Sequence, residues 1–223
     1  MASCTYSVPD KSASGDNLYG SVICNQAYID YFWNAYGFQG NKDYWDEGFG
    51  WEDACNTSKP LARAFNGCYL LTYSAPDYQN ESWNAPILNW GRRYVRSNID
   101  DLRSKCGDGS AIARTSGDTV EVYLGFFYTK DVPGRAETLI HEARHAGGRP
   151  HDARFPTGSV FGEGKDGADS SWNYNGAWMY GALYLWWFYA AGARTTSAMK
   201  ARARQRGNVV IDNAFANHPG FSI

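Results

Sequence analysis

The stretch Asp131-Val132-Pro133-Gly134-Arg135-Ala136-Glu137-Thr138-Leu139-Ile140-His141-Glu142-Ala143-Arg144-His145-Ala146-Gly147-Gly148-Arg149-Pro150-His151-Asp152 governs the reading of the whole chain. Asp131 is placed to cap a helix, with Pro133 in the first turn, where a missing N–H costs little. Gly147-Gly148 ends that helix near Ala146, because glycine adopts the left-handed conformation of a helix C-terminus without a Cβ penalty. His141 and His145 stand four residues apart, so they share one face, one turn from each other. Two imidazoles so placed can take neighbouring positions around one Zn²⁺. Glu142 is rotated by about 100° on the 3.6-residue helix. It need not ligate the metal and can instead act as general base toward an activated water. Gly148 lets the backbone turn sharply, and His151 then arrives from a loop as a third nitrogen. Three neutral imidazoles leave the fourth tetrahedral position open, the mark of a catalytic rather than a structural zinc site. From the chain's own His, Glu and Gly frequencies, the spacing HExxHxxGxxH has roughly four chances in a million of arising anywhere in it. Coincidence is therefore a poor explanation.

Working outward, Thr119–Tyr128 (TVEVYLGFFY) is dense in β-branched and aromatic residues and predicts a strand. Ala111–Arg114 is placed to pair with it across Ser116-Gly117-Asp118. Upstream, helical spacing predicts three helices. The first runs from Asn25, a plausible N-cap, to Tyr36, the second from Pro60 through Leu71, and the third from Ile87 to Lys105, stopped by Gly107-Asp108-Gly109. Residues 37–50 and 74–86 read as loops, as do residues 149–173. Downstream, Ala177–Ala193 predicts an apolar core helix and Ser197–Gln205 a basic one, with Lys200, Arg202, Arg204 and Arg206 forming a solvated face without an assigned partner. The expected class is α+β and helix-rich, with the histidine helix behind a short sheet and a helical C-terminal part. Residues 1–18 are expected to be a flexible arm. Residues 19–223 form one domain, with an N-terminal lobe to about 147 and a C-terminal lobe from 148.

The 223 residues carry a net charge of −2, with 43% hydrophobic and 16% aromatic side chains, which excludes a disordered chain. Without a positive excess there is little to neutralise phosphates, so no nucleic acid is expected as a partner. The apolar run 177–193 is short for a membrane span and is interrupted by Gly and Tyr, so no span is expected. Cys4, Cys24, Cys55, Cys68 and Cys106 include no CxxC pair, which argues against a thiolate zinc knuckle. Their odd number leaves the disulfide pairing open.

The extended motif, followed by Asp152, resembles that of metzincins, a branch of the zincin-type zinc metallopeptidases, and is similar to reprolysin-like and snapalysin-like members. RAETLIHEARHAGG also resembles bacterial predicted metallopeptidases with HEARH on the active helix. The likeness spans residues 118–152 and extends loosely toward 190. It implies a zincin-like fold, one Zn²⁺ per chain on His141, His145 and His151, and Glu142 as the residue that activates water. It also implies that TVEVYLGFFY is the edge strand against which an extended peptide docks. The family's methionine turn beneath the metal has a candidate in Met179, which is equally readable as core, and Met199 is the other methionine after the motif. Tyr180 would then lie near the metal as an oxyanion stabiliser, or else be a buried aromatic. Glu163, Asp166 and Asp169 rival His151 as third ligand, and the carboxylate that loses can orient an imidazole N–H. Asp152 has the same possible role, or caps the loop. Arg144 is expected to face away and pair with a carboxylate, and Arg149 is a candidate for binding a substrate carboxylate. The mainly helical N-terminal half departs from the family's twisted sheet.

The function this predicts is zinc-dependent hydrolysis of a peptide or protein substrate by a secreted, monomeric enzyme. The alternatives are a zinc amidohydrolase acting on a non-protein amide or cell-wall fragment, and a non-catalytic zinc-containing binding module.

Overall fold

The computed structural model describes residues 26–38, 59–104 and 111–223. The expected arm at 1–18, the stop at 107–109, Asn25, most of the 37–50 loop and four of the five cysteines lie outside the described residues. Within them, the fold is mixed α+β. Helices α1 (Gln26–Ala35), α2 (Pro60–Tyr73) and α3 (Ile87–Asn98) precede a small sheet of β1 (Asp101–Ser104), β2 (Ala113–Ser116) and β3 (Thr119–Val122). Then come α4 (Leu124–Tyr128), α5 (Val132–Ala146), the short pair β4 (Ala153–Arg154) and β5 (Asp166–Ala168), α6 (Ala177–Ala191) and α7 (Ser197–Asn213).

The sheet order is β1-β3-β2, with β1 parallel and β2 antiparallel to β3. Leu102, Val120 and Val122 are buried and tie the sheet to the core. Helix α5 crosses α2, α3 and α6 and also rests against β2. Its start is fixed by Asp131, whose side chain accepts from the Gly134 N–H at 3.0 Å, with Pro133 in the first turn. Phe32, Phe65, Leu88, Ile140, Tyr184 and Phe188 fill the main core. Helix α6 is apolar all round because it is covered on several sides: α5 and α3 bury one part, and Val210 and Ile211 of α7, with Phe215 just beyond it, bury another.

The expected loop 149–173 holds the short pair β4–β5, and three further elements differ from expectation. The third helix ends at Asn98 rather than Lys105, and residues 101–104 form β1. Ile99 is already extended, and the pairing of Leu102 with Val120 outweighs further helical propensity. The expected strand 119–128 stops at Val122, and Leu124–Tyr128 turns into α4. The carbonyls of Phe126 and Phe127 accept from Arg135 instead of a neighbouring strand. This lets both rings be fully buried without a ladder. The basic helix runs to Asn213, eight residues past its expected end, because Val210 and Ile211 continue its packing on α6. No helix among the described residues is long and apolar enough to cross a membrane.

Candidate metal centre

His141 and His145 come from the last two turns of α5, and His151 from the loop that follows. Gly148 has φ +81°, so this turn back toward the helix favours glycine. The Nε2 atom of His145 lies 3.1 Å from His141 Nε2 and 3.1 Å from His151 Nε2. All three ligand-type nitrogens fall within 4.8 Å of one another. Nitrogens at tetrahedral Zn–N distances are separated by about 3.3 Å, so the cluster is close to the spacing a metal requires. The three histidines lie close enough to hold a metal ion.

The outer ring nitrogens orient two of the three imidazoles. His145 Nδ1 is 2.7 Å from the Arg149 carbonyl, which can only accept, so the proton sits on Nδ1. His151 Nδ1 is likewise 2.9 Å from Asp169 Oδ1. Both Nε2 atoms therefore present lone pairs to the same point. Burial drives the His141 pKa well below the ordinary histidine value, and the neighbouring imidazoles add to this. Burial first and His151 second also lower that of His145.

Asp169 is fully buried and holds two elements together. One oxygen faces His151, and the other accepts from the Trp178 backbone N–H at 3.0 Å. Gly176 permits this, since a Cβ there would come within 2.3 Å of the carboxylate. Asp169 thus orients the third imidazole rather than replacing it. Asp152 accepts from the N–H and hydroxyl of Ser170 and locks the loop beside Asp169. Glu163 is exposed and accepts from the Gly158 N–H, and Asp166 pairs with Arg154 on the β4–β5 hairpin.

Glu142 is buried, and its Oε2 accepts a 2.6 Å hydrogen bond from the Thr115 hydroxyl of β2. Burial pushes its carboxyl up to about 7, against the opposing pull of that hydrogen bond. Glu142 shares with His141 and His151 a cleft of about 260 Å³, walled by Ala111–Ala113 on one side and Phe155, Phe161 and Trp178 on the other.

Other expected residues stand elsewhere. Met179 lies inside α6 and packs on Val210 and Phe215, so it is a core methionine. The residue that touches the imidazoles is its neighbour Trp178, whose ring centre is 4.3 Å from that of His141 and 5.8 Å from that of His151. Tyr180 is outside the cleft, tilted against Trp90 at 4.7 Å and covered by the Arg144 guanidinium at 4.2 Å. Arg144 is buried and donates to the Tyr94 hydroxyl and the Asn175 carbonyl, not to a carboxylate. Arg149 is exposed, and its backbone carbonyl is what serves the site. The edge beside the cleft is β2, not the expected 119–128 strand, because β3 is central in the sheet. Thr115 and Trp178 were not singled out in the sequence: an isolated threonine in a strand and one tryptophan among nine give no signal.

The chain matches no family model, no curated protein and no solved structure.

Proposed function

We propose that this protein is a zinc-dependent metallopeptidase of the zincin type, similar to metzincins in its motif. The observation that carries the reading is the convergence of three imidazole nitrogens beside a buried Glu142 held by Thr115, in a cleft flanked by an edge strand. His141, His145 and His151 would hold the zinc. A zinc ion there supplies Lewis acidity, polarising a carbonyl and lowering the pKa of water. Water adds to the scissile carbonyl as Glu142 takes its proton. Glu142 returns that proton to the amine nitrogen as the C–N bond breaks. The Thr115 hydroxyl keeps Glu142 Oε2 in place, so that the other oxygen is the one that handles the proton. The edge of β2 beside the cleft offers backbone groups to an extended peptide, which favours a peptide over a small amide as substrate.

The test is Glu142→Gln beside His151→Ala, each read by zinc content and casein hydrolysis. Glu142→Gln should retain one zinc per chain and lose at least about 100-fold in turnover. His151→Ala should bind zinc weakly and lose activity. Hydrolysis by Glu142→Gln at the parent rate would defeat the mechanism.

A further inference from the structure

The basic run on α7 has no role in the chemistry above, and the structure divides it. Arg204 donates to the Ile223 carbonyl at 2.8 Å and lies over the Tyr189 ring. Arg202 and Arg206 instead line a basin of about 240 Å³ between α7 and the start of α5, together with Lys130, Asp131 and Glu137. Lys130, Glu137 and Phe161 line the metal cleft as well, so basin and cleft share a wall.

The charges of the basin do not cancel. Lys130 pairs with the buried Glu137 at 3.4 Å, and Arg206 pairs with Asp131. Arg202 is exposed and has no carboxylate partner among the described residues. Three cations against two carboxylates leave one positive charge, and that charge is Arg202. Val209 and Val210 provide an apolar wall that suits the stem of a side chain.

We propose that this basin is a subsite for a carboxylate of the substrate chain, with Arg202 as the charge that recognises it. The inference rests on the peptidase reading and names the substrate class: peptides with an acidic side chain, or a chain terminus, a short way from the scissile bond. Phe161 and the Lys130–Glu137 pair form the step between the two cavities, so a chain lying in the cleft reaches Arg202 by passing them.

The test uses zinc-loaded Glu142→Gln protein and fluorescein-labelled peptides, with binding read by anisotropy. A single Glu is moved along a neutral peptide, each version is matched by Gln, and each is made with a free and an amidated C-terminus. At one position Glu should bind about three- to fivefold more tightly than Gln, the range of an exposed ion pair. The difference should shrink in high salt, vanish in Arg202→Gln and reverse in Arg202→Glu. A preference for the free C-terminus alone would make the terminal carboxylate the ligand. Equal binding of acidic and neutral peptides overturns the subsite, as does a preference that survives Arg202→Gln or an absence of peptide binding. Incubating the same peptides with wild-type protein separates the two readings. Arg202-dependent binding without cleavage defeats the peptidase reading and leaves the subsite standing. Cleavage without acidic preference defeats the subsite alone.

Discussion

The two halves of α5 bury polar groups to opposite ends. In the first half Arg135 is fully buried, and it donates to the carbonyls of Phe126, Arg63 and Phe127 at 3.1, 3.3 and 2.7 Å. Donors meet acceptors there. In the second half His141 and His145 meet His151 of the following loop, with the Nε2 atoms of His141 and His151 each 3.1 Å from His145 Nε2. The first arrangement is complete and holds α4 against α2 and α5. The second gathers three ring nitrogens close enough to hold a metal ion. Buried polarity is structural where donors and acceptors match, and it becomes a binding site where they do not.

The comparison breaks most visibly at Arg135. Arg135→Met fills much of the same volume but removes the Arg135 donor from the buried Phe126 carbonyl and leaves the Phe127 carbonyl to Arg63 alone. The expected loss is about 2–3 kcal/mol in urea unfolding. A loss below 1 kcal/mol would show that water or another donor replaces the guanidinium, and that this half of α5 is not closed. The contrasting change in the second half is Asp169→Asn, which weakens the hold on His151 Nδ1. Zinc affinity should fall about 10- to 100-fold, read by competition with a chelator. Asp152→Asn, one step farther from the imidazole, should change it much less. Equal effects from the two would mean that the loop as a whole, not the His151–Asp169 contact, sets the affinity.

The smallest effect sharpens the structural side. Cys68 of α2 is a free, fully buried thiol in the main core, and burial pushes its pKa well above the usual value of 9.0. The folded protein keeps that proton at pH values where the unfolded chain releases it. Above about pH 9 the folded state therefore binds more protons, and stability falls as pH rises. By pH 10 the contribution is roughly 1.4 kcal/mol, on a one-unit excess over the unfolded pKa. The loss of stability between pH 8 and pH 10 should be smaller by that amount in Cys68→Val. An unchanged slope would mean that Cys68 becomes accessible without unfolding. Buried tyrosines such as Tyr184, also raised by burial, add to the alkaline loss in both proteins.

Much of α5 was legible because its signals are local. Asp131, Pro133 and Gly148 act on their own backbone, and the separation of His141 from His145 is fixed by helical geometry before any tertiary contact forms. The hairpin of β2 and β3 was legible for the same reason, with Gly117-Asp118 at its turn. The fates of 101–104 and 124–128 were not. Leu102 becomes a strand residue because Val120 is there to pair with, and Phe126 and Phe127 leave the strand because Arg135 satisfies their carbonyls. Neither partner is a neighbour in sequence.

The sequence by itself determined which residues can meet at one centre: His141, Glu142 and His145 through the helix period, and His151 through a glycine turn and a short loop. Only the tertiary structure decided what surrounds them. It brought Asp169 rather than Asp152 to His151, Trp178 rather than Met179 to the imidazoles, and Thr115 to Glu142, and it turned Arg202 toward the basin. Helix geometry is set by bonds within a few residues of each position. The packing of β2, α6 and α7 around α5 is set by burial over the whole chain, and burial carries no label in the local sequence.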